Sequence, residues 1–229
     1  MRLMLRGGVL SCWSFCLLIL PVVSKAQSTG EKIGTLDRRV DSLLRQAPSA
    51  EYFLKVVNLI RWDSRILTSI PSISPVRIAE TRNIARAISS PFGSRIHPIF
   101  HTQHTHSGID IPGKERDTIY AAGSGVVATI GVDDKLGGFI RIQHDYGLVS
   151  VYGHMRKALC QAEDTVRIGE PIGLMGSTGN STGPHLHYSV KFRETFTDPI
   201  PFCYLMFDYL KRASLSEKVP VFSPEEDRL

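Results

Sequence analysis

Cysteine is scarce in this chain, charge of either sign is barely in excess, and internal repeats are absent. Of four cysteines among 229 residues, Cys12 and Cys16 lie in the apolar N-terminal run. Only Cys160 and Cys203 are left, so the remainder holds at most one disulfide, and two free thiols are an equal alternative. The formal net charge of +5 falls to +2 without residues 1–26, because Arg2, Arg6 and Lys25 leave and no acid does. A balance that slight gives a nucleic-acid partner no support. It is compatible with an anionic cell-wall polymer without demanding one. With 42% hydrophobic and 21% charged residues, the composition is that of an ordinary globular chain, with enough apolar residues for one full core and a smaller segment.

Long hydrophobic runs are absent except at the start. MRLMLR is basic, GGVLSCWSFCLLILPVV is apolar, and SKA places small residues where a signal peptidase reads them. Residues 1–26 are therefore predicted to be a cleaved secretory signal. An uncleaved anchor is the competing reading, because the apolar run is near the lower length limit for crossing a bilayer. No cysteine follows the small residues, which argues against a lipid anchor. Cleavage would leave no stable membrane span, and the chain would be exported to a periplasm, cell envelope or extracellular space.

Beyond the signal, residues 27–88 read as a helical segment and linker. EKIGTLDRRVDSLLRQ spaces Ile33, Leu36, Val40, Leu43 and Leu44 helically, and a second helical run, EYFLKVVNLIRW, follows Pro48 and Ser49. SIPSISPV, with Pro71 and Pro75, looks like the linker. From about Ser89 short apolar runs alternate with glycine: TIYAA, GVVATI, FIRIQH, LVSVYGH, PIGLMG and LHYSV. Such spacing predicts a mainly β domain over 89–205, an antiparallel sheet or sandwich. Residues 206–229 read as a charged C-terminal tail.

Histidine is missing from the helical segments. All eight, His97, His101, His104, His106, His144, His154, His185 and His187, fall between positions 97 and 187. In STGPHLHYSV a turn leads into a strand, which puts His185, His187 and Ser189 on one face and Leu186, Tyr188 and Val190 on the other. Two imidazoles so placed could serve one metal and one proton, or be surface histidines of an edge strand. In THSGIDIPG, His106 and Asp110 flank Gly108, which lets the backbone curl so that both heads converge, a pattern weak by itself. In LVSVYGHM, Ser150, Tyr152 and His154 share parity, opposite Val149 and Val151, which places His154 at a strand end on an exposed face.

Taken in order, HSGID, YGHM and the turn before HLH resemble the M23 zinc endopeptidases, the lysostaphin-like or LytM-type cell-wall hydrolases. The resemblance runs from about Ile88 to Pro199. It takes in ISSPFGSRIHPIF, IYAAGSGVVATIG, IRIQHDYGLVSVYGHM and VRIGEPIGLMGSTGNSTGPHLHYSV. It implies one Zn²⁺ per chain held by His106, Asp110 and His187, with His154 and His185 flanking a bound water as catalytic residues. Peptidoglycan stem peptides or cross-links are the implied substrate. A catalytically inactive relative that binds wall or activates another hydrolase is the alternative, and the filling of all five positions argues against it. His97 is expected to brace a loop near the cleft, and His101, His104 and His144 to be structural. In some relatives a preceding segment covers the cleft, so residues 27–88 could mask the site or dock a regulatory protein.

Overall fold

The computed structural model describes residues 35–60, 64–77, 84–96 and 103–216. The predicted signal at 1–26, His97, His101 and residues from 217 lie outside the described residues. Helix α1 (Thr35–Arg45) turns its apolar stripe inward at Leu44. Helix α2 (Ala50–Leu59) starts where Pro48 and Ser49 suggested: the Ser49 hydroxyl accepts the Tyr52 N–H and caps the first turn. It buries Phe53 between Tyr146 and Phe192, with ring centroids 5.6 Å apart in both pairs. Full burial of such a side chain contributes roughly 1.5–3 kcal/mol.

Short helices α3 (Ser64–Thr68) and α4 (Ile84–Ala87) precede eleven strands. These are β1 (Gly93–Ile96), β2 (Gln103–His106), β3 (Ile109–Pro112), β4 (Thr118–Tyr120), β5 (Gly125–Asp133), β6 (Gly137–Gln143), β7 (Leu148–Ala158), β8 (Thr165–Val166), β9 (Pro171–Met175), β10 (His185–Phe192) and β11 (Thr195–Thr197). All pairings are antiparallel, as the mainly β expectation requires. Strands β1 and β2 form a separate hairpin, and the other nine form one branched sheet. Along one edge of β10 runs β7; its other edge is shared by β3 and β11. The far end of β7 leaves β10 and pairs with β9.

One face of the sheet carries Ile140, Ile142, Tyr152, Leu186, Tyr188 and Val190, all inaccessible to solvent. Helices α1 and α2 pack there. So does SIPSISPV, which is not a free linker. Ser72 and Ile73 donate backbone hydrogen bonds to the Ala122 carbonyl, Tyr120 N–H donates to Pro75, and Ile70, Ile73 and Val76 are buried. Its prolines thus fit a docked strap whose other backbone groups pair with the sheet's loops. Helix α2 thus lies, through Phe53 and Phe192, on the face of β10 opposite His187.

The C-terminal segment also differs from the sequence reading. Helix α5 (Ile200–Ser216) runs ten residues past position 206 and buries Phe202, Cys203, Leu205 and Met206. Pro201 sits in its first turn, where the backbone N–H has no intrahelical partner to lose. Cys160 and Cys203 are free thiols, which settles that alternative. Among the described residues no helix is long and apolar enough to cross a membrane.

Under the sheet, His144 is a structural histidine. Its Nδ1 donates to the Ser124 carbonyl at 2.8 Å, its Nε2 lies 2.7 Å from Ser150 Oγ, and Ser150 Oγ lies 3.0 Å from the Tyr152 hydroxyl. Burial pushes the His144 imidazole down to about 4. An unfolded chain takes up this proton near pH 6.5, so the unfolded state binds more protons between these values. Stability present above about pH 6.5 is expected to be lost as pH falls towards 4, by on the order of 3 kcal/mol. Denaturant titrations across that window should show a shallower acid loss for His144→Gln; equal slopes would mean His144 does not carry the effect.

Candidate metal centre

Backbone geometry brings the predicted residues together. Strand β10 pairs with β3 so that His187 lies opposite Asp110, and with β7 so that His187 also lies opposite Gly153. The turn from β2 into β3 carries His106 to the same spot. Gly108 makes this possible: a Cβ there would meet the Tyr188 carbonyl oxygen at 2.4 Å and Ser189 Oγ at 2.5 Å. Any larger residue would push the loop, and His106 with it, off β10.

Three donor atoms converge as a near-equilateral triangle. His106 Nε2 is 3.1 Å from His187 Nδ1 and 3.1 Å from Asp110 Oδ1, and His187 Nδ1 is 3.0 Å from Asp110 Oδ1. Ligands at about 2.0–2.2 Å in a tetrahedral shell stand roughly 3.3 Å apart, so the triangle fits a single small cation. Among the described residues this is the group of histidine and carboxylate donors that could hold a metal ion. His106 and His187 are 7% and 6% exposed, which takes the donors out of competition with bulk water.

Each ring is aimed by its other nitrogen. His106 Nδ1 donates to the Pro91 carbonyl at 2.8 Å, with Ser90 Oγ at 3.1 Å, so Nε2 presents its lone pair to the triangle. His187 is turned the other way: Nε2 meets Ser189 Oγ at 2.9 Å and Nδ1 faces in. Burial works against ionising Asp110, but His106 and His187, which donate hydrogen bonds to it in their protonated forms, outweigh burial and hold the carboxyl well below the usual carboxylate range.

The other two histidines stand on the open side. His185 Nε2 is 3.7 Å from Asp110 Oδ1, and its Nδ1 donates to the Gly183 carbonyl at 2.8 Å. His154 packs against it, the rings tilted by 56° with centroids 4.5 Å apart, and donates from Nδ1 to the Thr178 carbonyl at 2.8 Å.

His154 does not arrive there by simple alternation. Ser150 and Tyr152 point into the core, and strict parity would send His154 after them. Between the pairs Gly138–Met155 and Ile140–Tyr152, however, β7 has one residue more than β6. This bulge puts His154 at φ 58°, in the left-handed region, with its N–H bonded to the Leu136 carbonyl at 2.6 Å. The ring is thereby flipped to the face of His185 and His187. Burial, and after it the neighbouring histidines, lowers the His154 pKa against the opposing hydrogen bond to Thr178. The left-handed backbone of a non-glycine residue costs on the order of 1 kcal/mol or more, a strain that clusters at functional sites.

His144 takes no part in the cluster, and of His104 only the strand backbone is described, paired with Arg95. The supports Ser90, Pro91, Thr178 and Gly183 were not foreseen. Three of these contribute backbone carbonyls, which have no side-chain signature.

The antiparallel sheet thus brings two histidines and an aspartate together at metal-ligand spacing, flanked by two more histidines, in an arrangement that could hold one metal ion. Residues 104–199 match the model of Peptidase family M23. It is 43% identical over 113 residues to the DD-carboxypeptidase/endopeptidase Mpg of Neisseria meningitidis serogroup B, an alignment covering 49% of this chain and 26% of that protein. The peptidoglycan DD-endopeptidase ShyC of Vibrio cholerae is 36% identical over 104 residues, covering 45% of this chain and 24% of its own length. The chain thus spans about a quarter of the length of these relatives. A crystal structure of a zinc-containing peptidase from Vibrio cholerae superposes with a TM-score of 0.52 and 29% identity, over 58% of this chain and 39% of that one.

Proposed function

We propose that this protein is an exported zinc endopeptidase that hydrolyses peptide bonds in peptidoglycan stem peptides or cross-links. The observation that carries the proposal is the triangle of His106, Asp110 and His187 with His154 and His185 on its open side. Two neutral imidazoles and one carboxylate suit Zn²⁺. When bound, the ion would lower the pKa of a coordinated water and polarise a scissile carbonyl. The protein's own contribution is to hold and move protons. With Nδ1 committed to Gly183 and Thr178, the Nε2 atoms of His185 and His154 are free to accept a proton from an attacking water and return it to the leaving amine. Burial keeps His154 neutral near pH 7, the form a base requires. The sequence's domain limits, 89–205, and its signal at 1–26 belong to the same proposal. A regulatory protein would find Leu43, Tyr52 and Leu59 exposed on α1 and α2.

The direct test incubates zinc-loaded protein with isolated sacculi, with and without chelator, and identifies released fragments by mass spectrometry. Chelator-sensitive release with new peptide termini is expected. A protein that keeps its metal and binds sacculi but releases nothing would instead be a wall-binding relative.

Ser189 has a role that follows from its bond to His187. In Ser189→Ala the imidazole loses the partner that points Nδ1 inward, and zinc affinity is expected to fall about 10–100-fold, read by competition with a chromophoric chelator. Unchanged affinity would mean the strand alone orients the ring.

A further inference from the structure

On the face of the sheet that carries the metal centre, Arg141 has no acidic partner among the described residues. Arg141 of β6 pairs with Thr129 of β5 and Val151 of β7, and Val151 pairs with Ser189 of β10. Its neighbours Ile140 and Ile142 are wholly buried on the core side, so Arg141 projects from the face shared by Ser189 and His187. Its guanidinium lies over the Phe139 ring, 4.5 Å from the centroid. Phe139 in turn lies against Gly131, where a Cβ would come within 2.8 Å of the ring. The sheet therefore holds ring and cation as a stack.

Stacking occupies the flat face of a guanidinium and leaves its N–H edges free for a bidentate acceptor. Among the described residues nothing takes them up: the Phe139 ring is the contact Arg141 makes. Two other cations near that face are committed. Lys191, further along the same face of β10, meets Glu194 at 3.8 Å and the Phe196 ring at 4.8 Å. Arg156, past His154, is ion-paired with Glu115.

Two strand spacings, about 10 Å, separate β6 from β10. An extended peptide covers that in about three residues. We propose that Arg141, stacked on Phe139, is a carboxylate-binding subsite of the cleft, selecting acidic peptides whose free carboxylate lies two or three residues from the cleaved bond. The subsite rests on the peptidase reading of the metal centre and names the substrate class that centre takes.

The test uses muropeptides with free carboxylates and the same muropeptides amidated, titrated calorimetrically into zinc-loaded protein carrying His154→Ala, so that turnover does not obscure binding. The acid form is expected to bind about tenfold more tightly, a preference abolished by adding Arg141→Gln and partly kept by Arg141→Lys. Equal binding of the two forms would overturn the proposal, as would a preference that survives Arg141→Gln. Metal content reports whether each variant has folded, and should Arg141→Gln fail that check, the ratio in the Arg141-containing protein and in Arg141→Lys decides. Cleavage of the same muropeptides by protein with His154 intact is scored separately. Failure to cleave either form counts against the peptidase reading, whereas loss of the acid preference counts against the subsite alone.

Discussion

Alanine in place of His187 is expected to remove metal and turnover together. His187 supplies one of three donor atoms, and its Nδ1 stands 3.0–3.1 Å from the other two. Losing only the hydrogen-bond partner of a metal ligand costs about 10–100-fold in affinity, so losing the ligand itself should cost more than about 100-fold. The residue left behind would be an Asp110 carboxyl deprived of one of the two histidine neighbours that favour its ionised form. Metal analysis after dialysis, alongside a sacculus-release assay, checks this. Comparing both proteins in chelator separates lost metal from lost folding, since without the ion they should unfold at similar temperatures. A His187→Ala protein that kept stoichiometric zinc would contradict the ligand assignment.

His154→Ala is expected to behave in the opposite way, keeping the metal and losing turnover by about 10²–10⁴-fold, the usual contribution of a positioned acid or base. Its ring touches the triangle only through neighbours, with centroids 4.5 Å from His185 and 5.9 Å from His187. No atom of the triangle depends on it. The bulge that presents the ring is built from backbone, including the hydrogen bond to Leu136, and should survive the substitution. Removing a side chain from a left-handed position does not relieve the backbone, so stability should change little. Loss of zinc from this variant would show that His154 is itself a ligand.

Sequence and structure agree where one residue's role depends on its near neighbours. The alternation of HLHYSV put His187 and Ser189 on one face and Tyr188 on the other, because a strand's period of two is local. The turn across Gly108 was legible for the same reason, although the cause of the glycine was not: it is the Tyr188 carbonyl, eighty residues away. The mainly β class followed from the spacing of glycine-bounded apolar runs. What could not be read depends on register between strands. His154 reaches the site through a mismatch between β6 and β7, and no feature of LVSVYGHM alone reveals where its partner strand is one residue short. Proline misled in one place. Pro71 and Pro75 suggested a linker where a strap docks on Ala122 and Tyr120. There tertiary contacts use the backbone groups that proline leaves intact, the Pro75 carbonyl among them.

The N-terminal elements illustrate a related point. Their apolar stripes indicated helices but not the surface they cover. Phe53 is spent on Tyr146 and Phe192, on the core side of β10. Among the described residues only the stretch from Ser89 onward reaches the metal centre, where Ser90 and Pro91 meet His106 Nδ1.

The most direct measurement is anomalous diffraction at the zinc absorption edge from crystals grown with the metal. The account predicts one ion per chain bonded to His106 Nε2, Asp110 Oδ1 and His187 Nδ1 at about 2.0–2.2 Å, with the Nε2 atoms of His154 and His185 facing it but outside bonding distance. An ion bound elsewhere, or one with His154 or His185 among its ligands, would contradict it.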